Sequence, residues 1–247
     1  MSATAAVGAQ ATTTTRTAGR RLGALAGVAF AFLFFMGTAT LDIPRGASDA
    51  KLVAWWADSG NQTTAIVSMY LFIVAGLCFL LFLTKLRSRL LAAEAGSGEL
   101  TSLVVASGAV FVAMLLVAAA SRGVIGFAVK SPGDNESLPG ADTLRYLPQT
   151  GYAALGIGGL LAAAVAMATT SWLIVRTAVF GRWLAWLGAA SALVIVVAAA
   201  ALVGMVAIPA MLIWVLAVSI AMWRAPWKLD GGRPSGTRLG ARLRTAA

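Results

Sequence analysis

The sequence predicts an all-α fold: a polytopic transmembrane bundle of six helices with both termini cytoplasmic. Three observations predict it. Long apolar stretches recur along the chain, charged residues are scarce, and arginine and lysine gather at alternate ends of the stretches. Apolar residues fill 60% of the 247 positions and charged residues 11%, against about 45–50% and about 25% in soluble domains. Such a chain cannot cover a water-facing surface, so lipid must be its main solvent. The net charge of +10 fits a bilayer with anionic cytoplasmic lipids better than nucleic acid, because of where the cations lie.

Residues 1–21 read as a structureless Ala/Thr-rich leader that ends in Arg16, Arg20 and Arg21. The first apolar run, 22–41, has about the 20 residues needed to cross ~30 Å of hydrocarbon. Further runs cover 64–84, 103–129 and 152–175. The stretch 183–223 is too long for one span and contains Gly204 and the pair Ile208-Pro209. Proline disfavours helix in the residue before it. The stretch therefore predicts a hairpin with spans at about 183–203 and 207–223, followed by a basic tail at 224–247.

Counting cations orients the chain. With the N-terminus inside, the cytoplasmic segments hold Arg16, Arg20, Arg21, Lys85, Arg87, Arg89, Arg176, Arg182, Arg224, Lys228, Arg233, Arg238, Arg242 and Arg244, which is 14 of 19 cations. Asp42, Asp49, Asp58, Asp134, Glu136 and Asp142 fall outside. This asymmetry follows the positive-inside rule, and an even number of spans agrees with it. Arg20-Arg21 before an apolar run also fits a secretory or twin-arginine signal, with Gly37-Thr38-Ala39 as a cleavage site. Cleavage would leave five spans and break the charge alternation, so an uncleaved first helix is expected.

Two outer loops carry most of the remaining polar character. In the first, Ser48 is placed to N-cap a short helix. Leu52, Trp55 and Trp56 then follow at i, i+3 and i+4, on one helical face. The expected arrangement is a helix lying in the outer interface, where indole rings prefer to sit; the sharper alternative is a lid over a pocket between the helices. The second loop, 131–150, is rich in Pro, Gly and Asp. Its Asn135-Glu136-Ser137 sequon reads as coincidence. So does Leu147-Pro148-Gln149-Thr150-Gly151: with the following apolar run and Arg176 and Arg182 it imitates a sortase sorting signal, but such signals close a chain and two more spans follow.

The residue inventory speaks to chemistry. There is no histidine and one cysteine, Cys78, which removes the commonest general base and leaves no familiar zinc, haem or iron–sulfur set. No phosphate loop or nucleophile elbow occurs. No carboxylate lies mid-span, where coupled carriers keep one. Catalytic, metal and cofactor-binding residues are therefore not expected, and no cofactor is implied. One ionisable residue enters a hydrophobic run: Arg122. A mid-bilayer arginine costs at least about 2.5–3.5 kcal/mol. If hydrocarbon covers 103–121, Arg122 lies at the outer boundary, where it can snorkel or pair with Asp42 or another outer acid; otherwise it is a cation for a ligand. Arg122, Trp55, Trp56 and Asp42 are the candidate ligand or structural polar site.

Small residues recur at four-residue spacing in Gly23, Gly27 and Ala31, in Ala154, Gly158, Ala162 and Ala166, and in Gly188 and Ala192. Such strips let helices approach closely in lipid, with internal packing the expected use. An inverted three-plus-three repeat is not supported, since no span is broken at matching places.

Residues 22–90 resemble the uncharacterised integral membrane proteins common in actinobacteria. The resemblance rests on the leader, on Ala-Lys-Leu-Val-Ala-Trp-Trp-Ala-Asp-Ser-Gly-Asn-Gln at 50–62, and on Phe-Leu-Thr-Lys-Leu-Arg-Ser-Arg-Leu at 82–90. It implies membrane placement and carries over no catalytic residues. The expected role is a non-catalytic structural, sensing or accessory subunit of a bacterial plasma membrane. Anionic lipid would meet the basic tail, a membrane-protein partner or a second copy is possible, and nucleic acid is not expected. The alternative is a passive transporter or binder of a lipid or other hydrophobic molecule near Arg122, Trp55 and Trp56.

Overall fold

The computed structural model describes residues 22–40, 42–44, 46–94, 96–131 and 137–224. The leader at 1–21, Asn135 and Glu136 of the sequon, and residues 225–247 of the basic tail fall outside them. All regular structure among the described residues is helical. α1 is Leu22–Ala39. It is followed by α2 (Asp49–Ala57), α3 (Ser59–Ala93), α4 (Glu99–Lys130), α5 (Ala141–Ala153), α6 (Leu160–Thr177), α7 (Arg182–Ala200) and α8 (Ile208–Arg224). A π turn, Ala154–Gly159, fuses α5 and α6 into one 37-residue helix. Six helices are long and apolar enough to cross a membrane, which makes this a multi-pass membrane protein by length and composition.

Local chemistry sets the breaks between helices. Asp58 is extended (φ −73°, ψ 120°) and its carboxylate accepts hydrogen bonds from the Gly60 and Asn61 amides at 2.7 and 3.0 Å, N-capping α3. The side chains of Asn61 and Gln62 then donate to the carbonyls of Trp55 and Trp56, at 2.9 and 2.8 Å, and so satisfy the end of α2. Between α3 and α4, Gly96 and Gly98 take positive φ, which residues bearing a Cβ rarely do. The 183–223 stretch is a hairpin, as its length requires. α7 stops at Ala200, Leu202 turns left-handed (φ 59°), and a 3-10 turn at Gly204–Ala207 leads into α8, with Pro209 in its first turn.

Two cores result. The larger draws buried residues from α1, α3, α4, α6, α7 and α8, with Phe30, Phe34, Phe72, Phe79, Phe82 and Phe111 forming a column of rings in contact. Outward faces stay apolar: Phe32, Leu77, Leu193 and Val197 are all more than half exposed, as suits a surface solvated by lipid. The glycine strip of α1 packs internally. A Cβ on Gly27 would stand 2.1 Å from Ser219 Oγ of α8 and 2.8 Å from the Phe82 ring of α3.

The second core joins Ile43, Leu52, Trp56, Ala65, Ile125 and Leu144, with Trp55, Leu138 and Leu147 packed against it. It caps one end of the bundle. α3 and α4 have 35 and 32 residues; at about 1.5 Å per residue they exceed ~30 Å of hydrocarbon by about 20 Å. Ala65 of α3 and Ile125 of α4 meet Leu52 and Trp56 of α2 and Leu144 of α5 in this cap. The structure departs here from the expected second loop, because residues 141–150 are helical. Leu144, Pro148 and Gly151 lie at i, i+4 and i+7 and are all buried on one face, and that burial holds Pro148 inside a helix it would otherwise weaken.

Candidate site around Arg122

Arg122 occupies the junction of the two cores. It lies within α4, is 4% exposed, and points its guanidinium between two rings, with Cζ 5.1 Å from the Phe72 centroid and 5.4 Å from that of Tyr152. The three residues come from α3, α4 and α5. Phe72 also touches Phe34 of α1, at 5.2 Å, so Arg122 stands at the cap end of the ring column. Ser68 of α3 donates to the Gly37 carbonyl at 2.7 Å, which holds the C-terminal turn of α1 against the same stretch of α3. A helix C-terminus carries partial negative charge and a ring face is electron-rich. Both favour a cation that burial would otherwise penalise.

Arg122, Trp55, Trp56 and Asp42 are only partly brought together. Trp56 is fully buried and meets Trp55 edge-on, with centroids 4.9 Å apart. The face defined by Leu52 and Trp56 packs on Leu144 of α5 and Ile125 of α4. The expected interfacial placement does not hold for Trp56: its ring faces protein, because α5 supplies an apolar surface that the loop reading lacked. Asp42 is exposed and, among the described residues, forms no ion pair with Arg122. Its neighbour Ile43 is the residue that enters the cap. The ion pair found here is Arg145 with Asp49, at 2.6 Å. Arg145 also donates to the Ala47 carbonyl at 3.0 Å, pinning α5 to the start of α2. The cleft between these elements, lined by Leu52, Leu144, Arg145 and Tyr152 among others, measures about 10 Å³, room for about one water.

A second buried arginine carried no signal in the sequence beyond its charge. Arg89 of α3 is 8% exposed, donates to the Met222 carbonyl at 2.7 Å and lies 5.9 Å from the Phe180 ring. It satisfies the last turn of α8 and so closes the bundle at the end opposite the cap. Nearby, the Glu94 carboxylate accepts from the Thr101 hydroxyl and from the Leu100 and Thr101 amides, capping α4 from across the turn. The Thr101 hydroxyl does most to hold the Glu94 pKa below its ordinary value; desolvation opposes this, and the two amides add to it. No group of three metal-ligating side chains occurs among the described residues.

No protein-family model, curated protein or solved structure matches this chain. The fold by itself defines its class: an α-helical, multi-pass membrane protein with a packed cap at one end.

Proposed function

We propose that this chain is an integral protein of the bacterial plasma membrane, threaded with both ends in the cytoplasm, that serves as a non-catalytic structural, sensing or accessory subunit. The observation that supports this reading is the packed junction at Arg122. Its guanidinium is enclosed by rings from two other helices and ties the cap to the bundle. That arrangement suits a rigid platform held at the outer surface better than an open reaction site. The orientation follows from cation placement. It puts the basic tail against anionic lipid, with each of its cations contributing about 1 kcal/mol.

A tagged full-length chain, solubilised in mild detergent, is expected to co-purify with another membrane protein at fixed stoichiometry. Weakening the cap by Trp56→Ala is expected to release that partner. Recovery of the chain alone, with or without a tightly held metabolite, would contradict the subunit reading. A bound metabolite would favour the second one, a passive carrier or binder of a hydrophobic molecule. One feature favours that alternative: an apolar groove of about 500 Å³ between α6 and α7.

A further inference from the structure

We infer that the groove between α6 and α7 is a specific site for one acyl chain of an anionic phospholipid, whose headgroup is held by Arg176 and Arg182. This rests on the membrane placement proposed above, and deepens the lipid-binding alternative, but requires neither a partner nor transport. The groove is floored by Ala164, Ser171, Ala185 and Ala192, which are buried, and walled by Trp172 and Trp186, 52% and 77% exposed. It runs from Val175 to Leu161 on α6. At about 1.5 Å per residue that is about 21 Å, longer than the roughly 15 Å of one leaflet's hydrocarbon. A chain lying in it is therefore covered along its length.

Charge selects the occupant. The end of the groove nearest the α6–α7 turn carries Arg176, whose guanidinium folds over the Trp172 wall at 4.7 Å. Arg182 opens α7 three and four residues before Ala185 and Trp186, on the same helical face. Arg224, at the end of α8, lies close to the same turn, sharing a surface cleft with Phe180 and Trp183. From Tyr146 to Leu229 the sequence contains no carboxylate, so these elements offer the two arginines no acidic partner. A phosphate-bearing headgroup supplies that charge and the acceptor oxygens arginine prefers. A second copy of the chain would fit less well, because a two-fold contact here would oppose like charges.

The test is native mass spectrometry of the full chain taken from nanodiscs of phosphatidylethanolamine and phosphatidylglycerol. Wild type is expected to retain one phosphatidylglycerol per chain. Arg176→Gln with Arg182→Gln is expected to lower that retention by roughly tenfold or more. Ala168→Leu with Ala189→Leu fills the groove at exposed positions, leaves the arginines intact, and is expected to lower it too. Equal retention of the two lipids by wild type, unchanged retention in either variant, or a dimer that the leucine variant dissolves would overturn the site. Failure of the membrane placement is separable, since the chain would then not enter nanodiscs at all.

Discussion

The guanidinium of Arg122 on α4 lies 5.1 Å from the ring of Phe72 on α3 and 5.4 Å from the ring of Tyr152 on α5. A charge in a region this dry persists only where something compensates its lost hydration, and electron-rich ring faces do so directly. Desolvated cation–π contacts are worth about 2 kcal/mol. Phe72→Leu keeps an apolar side chain of similar bulk but removes one face. It is expected to lower the detergent melting temperature by about 4–8 °C, and Arg122→Gln is expected to lower it at least as much. An unchanged melting curve for Arg122→Gln would show that the rings contribute nothing.

Trp56 fills the centre of the cap and is fully buried. Truncating such a side chain costs about 3–5 kcal/mol. The larger core shares none of the six residues that form the cap core. Trp56→Ala should therefore loosen α2 and α5 while α6, α7 and α8 stay packed. Limited proteolysis is expected to cut the variant within residues 42–60 or 137–150 and to spare the α6–α8 segment. Uniform cleavage throughout would mean that cap and bundle unfold as one unit.

Gly204 marks the closest backbone approach around the α7–α8 elbow. A Cβ there would stand 1.9 Å from the Gly156 carbonyl oxygen in the π turn, and backbone cannot move aside as a side-chain tip can. Gly204→Ala is expected to cost at least about 1–3 kcal/mol. Gly46→Ala adds a methyl that meets nothing within 4 Å and serves as the control. Thermal melts of the two variants check this; equal melting temperatures would contradict the elbow geometry.

Glu94 makes the α3–α4 turn sensitive to acid. Its folded pKa is depressed, chiefly by the Thr101 hydroxyl. The stability it contributes is therefore present above the unfolded value of about 4.3 and is lost as pH falls through the folded value. Melting temperature is expected to decline as pH drops from about 5 toward 3. Glu94→Gln should flatten the part of that decline due to this turn. An equal decline in the variant would assign it to other groups.

The membrane-spanning helices were legible in the sequence because runs of about 20 apolar residues have few other structural uses. The cap was not. Residues 131–150 look like a loop by Pro, Gly and Asp content, yet Leu144, Pro148 and Gly151 keep helical spacing on one buried face, and that spacing was the signal available. For Leu52, Trp55 and Trp56 the face was readable but not its neighbour, since Leu144 arrives from about 90 residues further along. Arg89 is a stronger case: its partner carbonyl on Met222 is 133 residues away, so local pattern recorded only one more basic residue at a helix end. Arg122 stood out by position, while Phe72 and Tyr152 looked like ordinary span residues until α3 and α5 were placed beside α4.

The proposed threading, with both ends in the cytoplasm, puts the cap outside the membrane and the α3–α4 turn inside. Labelling of single cysteines in intact cells tests it most directly. In a Cys78→Ala background, Ser137→Cys marks the cap side and Ser97→Cys the opposite turn; both positions are exposed. A membrane-impermeant maleimide is expected to label the Ser137→Cys protein in intact cells, and the Ser97→Cys protein only after the cells are opened. The reverse pattern, or labelling of both from outside, would contradict the account.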